Sequence, residues 1–179
     1  KCTMVGDQGG PFSYPGDYFS AEAPEKYKIK GSFGHPVPVV DGKTQSSGAK
    51  ASAIVLKKEF TDVKDLLCID YTSAYSTPSL DKLVRTFVYD RQGKGSFTVG
   101  DEFTANAPIR FETAITTQAN WKIIDDTHLL LTTGTEQMTV TIEASGKVAF
   151  TSETIEVNSP AYTRIGISLK EQSKDGYIR

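Results

Sequence analysis

At 179 residues and 19.5 kDa the chain is long enough for one domain with its own core. Its 20 basic and 22 acidic residues are interspersed and leave a net charge of −2, so no basic face for nucleic acid is indicated. The apolar share is 38%, and no run approaches the roughly 20 apolar residues that a membrane span needs.

The chain opens on Lys1-Cys2, with neither a charged n-region nor an apolar h-region, and is expected to be a processed product or a piece of something longer. Residues 1–48 hold most of the prolines, many glycines, and the aromatics Phe12, Tyr14, Tyr18 and Phe19. Such a segment cannot be all sheet, and it is too aromatic for a disordered tail. It is expected to be an irregular, cleft-edge segment, where a site would sit. Two residues in it stand out as metal-binding candidates: Asp7 in "VGDQGG" and His35 in "SFGHPVP". Asp7 reads either as an Asx-turn residue or as a ligand, and His35 either as a turn histidine bonded to backbone or as a ligand. A carboxylate and an imidazole suit zinc, but two ligands alone do not hold it.

Residues 49–179 are expected to supply the main sheets. "SAIVLKKEF", "LVRTFVYDR" and "SFTVGDEF" alternate with period two; "PSLDKLVRT" has a short helical flavour, but its continuation reads better as strand. "IRFETAITT" puts Ile109, Phe111, Thr113 and Ile115 on one face, "QMTVTIEAS" does so with Met138, Val140 and Ile142, and "RIGISLK" with Ile165, Ile167 and Leu169. "RQGKG" (91 to 95) and "ASGK" (144 to 147) read as hairpin connections. Polar residues on the alternate faces imply antiparallel sheets with one wetter side. The fold class is all-β, an antiparallel sandwich in a single domain spanning 1–179.

The familiar enzyme templates (G-x-S-x-G, P-loop, dinucleotide fingerprint, H-E-x-x-H) are absent. Asp101 and Glu102 read as solvated strand-end residues, Asp125 and Asp126 as turn neighbours that diverge, and His128 as a structural strand start. Cys2 and Cys68 form no C-x-x-C pair; they read as free thiols, with Cys68 buried in "LLCI", or as one disulfide if the protein is exported. Tyr14 and Tyr18, with Tyr71 and Tyr75 in "DYTSAYS", either stack on sugar rings or fill the core; Tyr14, Tyr18 and Tyr75 are the substrate-binding candidates.

"VGDQGGPFSYPGDYFS", "GSFGHPVPVVDGKTQSSGAKASA", "DYTSAYSTPSLDKLVRTFVYDRQGKGSFTVGDEF" and "FETAITT", in this order over residues 5 to 117, resemble the C-terminal β-sheet domain of heparinase II/III-like polysaccharide lyases. The resemblance implies an N-terminal α/α-toroid as partner domain, with an acidic polysaccharide such as a glycosaminoglycan bound between the two. Cleavage is by β-elimination at a uronic acid, with the main acid and base on the helical domain. No catalytic residue is therefore expected here, and the chain alone is expected to be inactive, with an exposed apolar face where the partner docks. The resemblance also implies a zinc ion held by two histidines and an aspartate. Asp7 in "GDQG" and His35 in "SFGH" match two of these; the other histidine lies upstream of the aspartate, and no histidine precedes Asp7 here. Location is expected to be secreted or periplasmic. The competing expectations are an autonomous carbohydrate-binding module and a non-enzymatic interaction sandwich.

Overall fold

The computed structural model describes residues 3–7, 13–155 and 161–179; Cys2 and Phe12, named above, lie outside the described residues. Runs of β-branched and aromatic residues form the strands β1 (Val39–Val40), β2 (Ile54–Phe60), β3 (Lys64–Asp70), β4 (Leu80–Asp90), β5 (Ser96–Ile109) and β6 (Phe111–Thr117). They continue as β7 (Asn120–Asp125), β8 (His128–Thr133), β9 (Glu136–Thr141), β10 (Val148–Ile155), β11 (Tyr162–Leu169) and β12 (Ser173–Ile178). All named pairs are antiparallel. The strands make a five-stranded sheet in the order β12-β5-β4-β3-β2, a four-stranded sheet β1-β6-β11-β10, and a three-stranded sheet β7-β8-β9. The all-β sandwich expected from the alternation is what forms. No helix of the described residues is long and apolar enough to cross a membrane.

The core lies between the sheets. Leu83 and Phe103 from the five-stranded sheet meet Phe111, Ile165 and Ile167 from the four-stranded one, and Leu129 and Leu131 of β8 close the remaining side. Phe103 and Phe111 stack with centroids 4.6 Å apart. Only Arg110 separates β5 from β6, so one turn carries the chain from sheet to sheet and sets these two rings face to face.

Three expectations change. "ASGK" is no hairpin: β9 pairs with β8 and β10 with β11, so residues 142–147 carry the chain between sheets. The outer faces of β6 and β11 are not wet. Positions 164 to 167 are buried in succession, because the N-terminal segment lies over this face, where the Thr116 hydroxyl donates to the Gly6 carbonyl. Cys68 is half-buried and free rather than sealed in the core.

The five-stranded sheet also outruns its cover. Leu83 and Arg85 of β4 are buried, whereas Tyr89, further along the same face, is exposed. Phe60, Asp65, Tyr89 and Phe97 follow one another as cross-strand partners. They form a row in which Phe60 and Phe97 are 66% and 65% exposed. Every residue of β2 is exposed.

Candidate functional site

His35 is placed by a short chain of local constraints. Residues Ser32–Gly34 form a single 3-10 turn, and Gly34 donates its N–H to the Lys28 carbonyl at 3.0 Å. A Cβ on Gly34 would overlap that same carbonyl, so only glycine lets the two backbones approach. His35 follows in an extended conformation and Pro36 and Pro38 stiffen what comes next.

The imidazole then bridges two segments. Nδ1 lies 2.7 Å from Asp7 Oδ2, and Nε2 lies 3.0 Å from the Ile29 carbonyl. A carbonyl oxygen can only accept, so Nε2 carries a proton and donates. That bond fixes the ring and turns Nδ1 toward the carboxylate, the arrangement by which a backbone carbonyl orients a metal-binding histidine. Both side chains remain reachable, at 27% and 43% exposure.

Do these residues make a zinc site? Zinc takes four ligands when structural, or three and a water when catalytic, at bonds near 2.0–2.1 Å. Among the described residues no group of three histidine, cysteine or acidic side chains comes together. Tetrahedral ligands at such bond lengths also sit roughly 3.3 Å apart, so the 2.7 Å contact would have to open. The described residues supply two donors, correctly oriented, and do not by themselves fit the ion.

Beneath the His35 turn lies a buried ionic anchor. Arg85 Nε and Nη2 donate to Asp101 Oδ1 and Oδ2, both at 2.7 Å, and Nη1 donates to the Pro36 carbonyl at 2.7 Å. Thr113 and Tyr71 add hydroxyl bonds of 2.6 Å to the same carboxylate. Asp101, 1% exposed, is therefore not the solvated strand-end residue the sequence suggested. Its position on β5 opposite Arg85 of β4 decides this, since a bidentate arginine makes a buried carboxylate tolerable. Burial alone would lower the Arg85 pKa, but hydrogen bonding and charge from Asp101 hold it above its ordinary value. Burial pushes the Tyr71 hydroxyl far up, next to the Asp101 charge, so it keeps its proton and is unsuited to act as a base.

The tyrosine candidates separate. Tyr75 is buried; its hydroxyl donates to the Pro38 carbonyl at 2.8 Å, and burial raises its pKa. A sugar cannot stack on a ring so enclosed. Tyr18 is buried too, but as the root of a surface cluster: Tyr14, Phe19 and Tyr27 lie 5.0, 5.4 and 5.4 Å from it, centroid to centroid. Tyr14 is 57% and Phe19 75% exposed. The Lys30 ammonium sits 5.1 Å from the Tyr18 centroid and 5.4 Å from that of Phe19, and it donates to the Tyr18 carbonyl. Ile29 joins this cluster to the histidine, its side chain packing with Tyr18 and its carbonyl accepting from His35.

Lys30 and Arg164 were not singled out from the sequence. Lysines at 26, 28 and 30, directly after the aromatic run, were the available signal for the first. Arg164, 2% exposed, lies under the Phe33 ring at 4.4 Å and donates to Glu112 Oε1 at 2.6 Å. Its place inside the apolar "RIGISL" run was the only hint. His128 begins β8, the strand start expected of it, with its Nδ1 2.8 Å from Asp125 Oδ1.

The arrangement offers exposed aromatic rings, a neighbouring ammonium and an oriented His–Asp pair. Flat apolar sugar faces and acidic groups suit the first two. No protein-family model matches the chain, and no curated protein matches it either. Solved structures do. One described as heparinase III superposes over 98% of this chain with a TM-score of 0.72 at 16% identity, and the match covers 27% of that longer chain. A heparan sulfate lyase from Pedobacter heparinus matches with a TM-score of 0.57 at 13% identity, over 98% of this chain and 28% of its own. At such identities the likeness is one of fold, and the chain spans about a quarter of the length of the proteins it matches.

Proposed function

We propose that the chain is the C-terminal β-domain of a polysaccharide lyase acting on a uronic-acid-containing glycan, to which it contributes structure and one wall of the glycan cleft. The observation that carries this is the nearly complete superposition of the chain on about a quarter of heparinase III. In this reading Tyr14, Phe19 and Lys30 form a wall that receives sugar faces and acidic groups. The His35 pair pins the N-terminal segment at the rim, and an α/α-toroid docks on the uncovered apolar sheet face. Asp7 and His35 are two of three ligands of a zinc ion whose remaining ligand comes from outside the described residues. Export to the periplasm or beyond follows from the substrate, since polymeric glycans are met outside the cytoplasm.

β-Elimination needs a base at the uronate C5 proton and an acid at the leaving oxygen. In this reading both roles fall to the partner domain. The chain incubated with heparan sulfate should therefore give no rise in unsaturated-uronate absorbance, and any rise overturns the reading. Binding without cleavage should be measurable and should weaken several-fold in Phe19→Ala/Lys30→Gln. For the metal, elemental analysis of a longer protein containing this chain should find about one zinc per chain, lost in His35→Ala.

The exposed ring pair beside Lys30 also favours a second reading, an autonomous carbohydrate-binding module. It predicts full glycan affinity without any partner domain. The lyase reading predicts that affinity rises when the toroid is present.

A further inference from the structure

Residues 13–35 lie over the outer face of the four-stranded sheet as a layer with a small core of its own. Tyr18 and Ile29 are buried with Ile155 of β10, and Tyr27, Phe33 and Tyr162 pack around them; this cluster is separate from the main core. Polar ties add to it. Lys28 pairs with Glu153, both side chains being 48% and 42% exposed, and Ser32 Oγ accepts from the Gln45 backbone N–H at 2.8 Å. An ion pair so open to water contributes little. On either side of the layer the chain is fastened. Gly6 donates its backbone N–H to the Thr116 carbonyl at 3.1 Å, and the Pro36 and Pro38 carbonyls accept from Arg85 and Tyr75. Asp7 and His35, each one residue inside a fastened point, meet at 2.7 Å.

What the layer covers is not apolar. Arg164 lies under the Phe33 ring and its Nη1 donates to Glu112, but Nε and Nη2 are buried with no hydrogen-bond partner among the described residues. Buried donors without acceptors cost free energy that contact with water restores. The closed layer therefore combines a small apolar gain with a penalty that is relieved when it lifts.

We propose that residues 13–35 are a flap that opens from the sheet as one unit while the sandwich stays folded, with the His35–Asp7 contact as its clasp. Regions with few buried apolar contacts open at a free energy below that of global unfolding. The fastened points at Gly6 and at Pro36–Pro38 keep the lift local. Tyr14, Phe19, Lys30 and His35 all ride on the flap, so one motion displaces the rings, the ammonium and the imidazole together. The consequence for glycan binding rests on the lyase reading above; the opening itself does not.

The test is native-state hydrogen exchange of the isotopically labelled chain, followed by NMR. Tyr27 and Gly34 donate their amides to the Ala23 and Lys28 carbonyls in separate turns of the flap, whereas Ile165 and Ile167 belong to β11, which has a strand on either side. Tyr27 and Gly34 should share one opening constant, about a hundredfold or more above that of Ile165 and Ile167. Phe33→Leu should raise it about fivefold for both flap amides and leave β11 unchanged. Arg164→Met/Glu112→Gln should lower it about fivefold, since the closed flap then buries no unpaired donor. Flap amides that exchange together with β11, separate responses of Tyr27 and Gly34 to Phe33→Leu, or a double variant that opens as readily as wild type or more so would each overturn the proposal. A flap that opens in this way with no heparan sulfate bound at the aromatic cluster leaves the flap standing and removes the lyase reading. Heparan sulfate bound at the cluster with no separate opening does the reverse.

Discussion

Asp101 shows how one side chain can hold a loop it never joins. Its carboxylate accepts from Arg85, Thr113 and Tyr71, and the third arm of Arg85 reaches the Pro36 carbonyl beside His35. Removing one member of a buried ion pair leaves the other charge unmet, at about 3–5 kcal/mol. Asp101→Asn should therefore lose that much in urea unfolding, whereas Arg85→Met/Asp101→Leu should lose distinctly less than the single variant. A cost under about 1 kcal/mol for Asp101→Asn would mean that the pair is open to water. Asp125 gives a pH-dependent counterpart at the surface. The Thr127 backbone N–H first, and then the His128 side chain, hold its carboxyl at about 2 against an ordinary 3.8. The charged form is the one stabilised, so its contribution is complete above pH 3.8 and disappears as pH falls through about 2. The melting-temperature gap between wild type and Asp125→Ala should close as pH falls over that interval. The turn at Asp125 was legible in "DDTH", but the burial of Asp101 in "GDEF" was not, since only the partner strand turns a polar strand residue into a buried anchor.

Elements explain the position of the candidate site. Gly34 allows the 3-10 turn to press against Lys28, and that approach points His35 at Ile29 and Asp7. Gly34→Ala should cost about 1–3 kcal/mol, because the atom in the way is backbone and cannot rotate aside. The same change should move the His35 ring resonances; unmoved resonances would show that the turn does not set the imidazole. His35 and Asp7 were visible in advance because histidine is scarce here and glycine and proline punctuate its surroundings. That they belong together came only from the family resemblance, since no local rule links positions 28 apart in the sequence. Tyr75 was left open between sugar stacking and the core, and the fold takes the second: it directly follows the 3-10 turn Thr72–Ala74 and its hydroxyl reaches the Pro38 carbonyl.

Across the whole molecule the two principal sheets differ in extent, and the difference leaves one face uncovered. Phe60, Tyr89 and Phe97 stand exposed where Leu83 and Phe103, on the same sheet, are enclosed. Replacing Phe60 and Phe97 by serine should each change stability by no more than about 0.5 kcal/mol, while reducing dye binding and self-association of the chain. A loss of several kcal/mol would show that the row is packed rather than open. The amino-acid sequence by itself determined the strands and their alternation, the all-β class, and an N-terminal segment that would not be all sheet. These follow from local rules: side-chain period, β-branching, and the fixed geometry of glycine and proline. Only the tertiary structure decided that Asp101 is buried and that Tyr14 is open while Tyr75 is closed. Burial and pairing depend on which strand lies opposite, and that information is spread over residues distant in the chain.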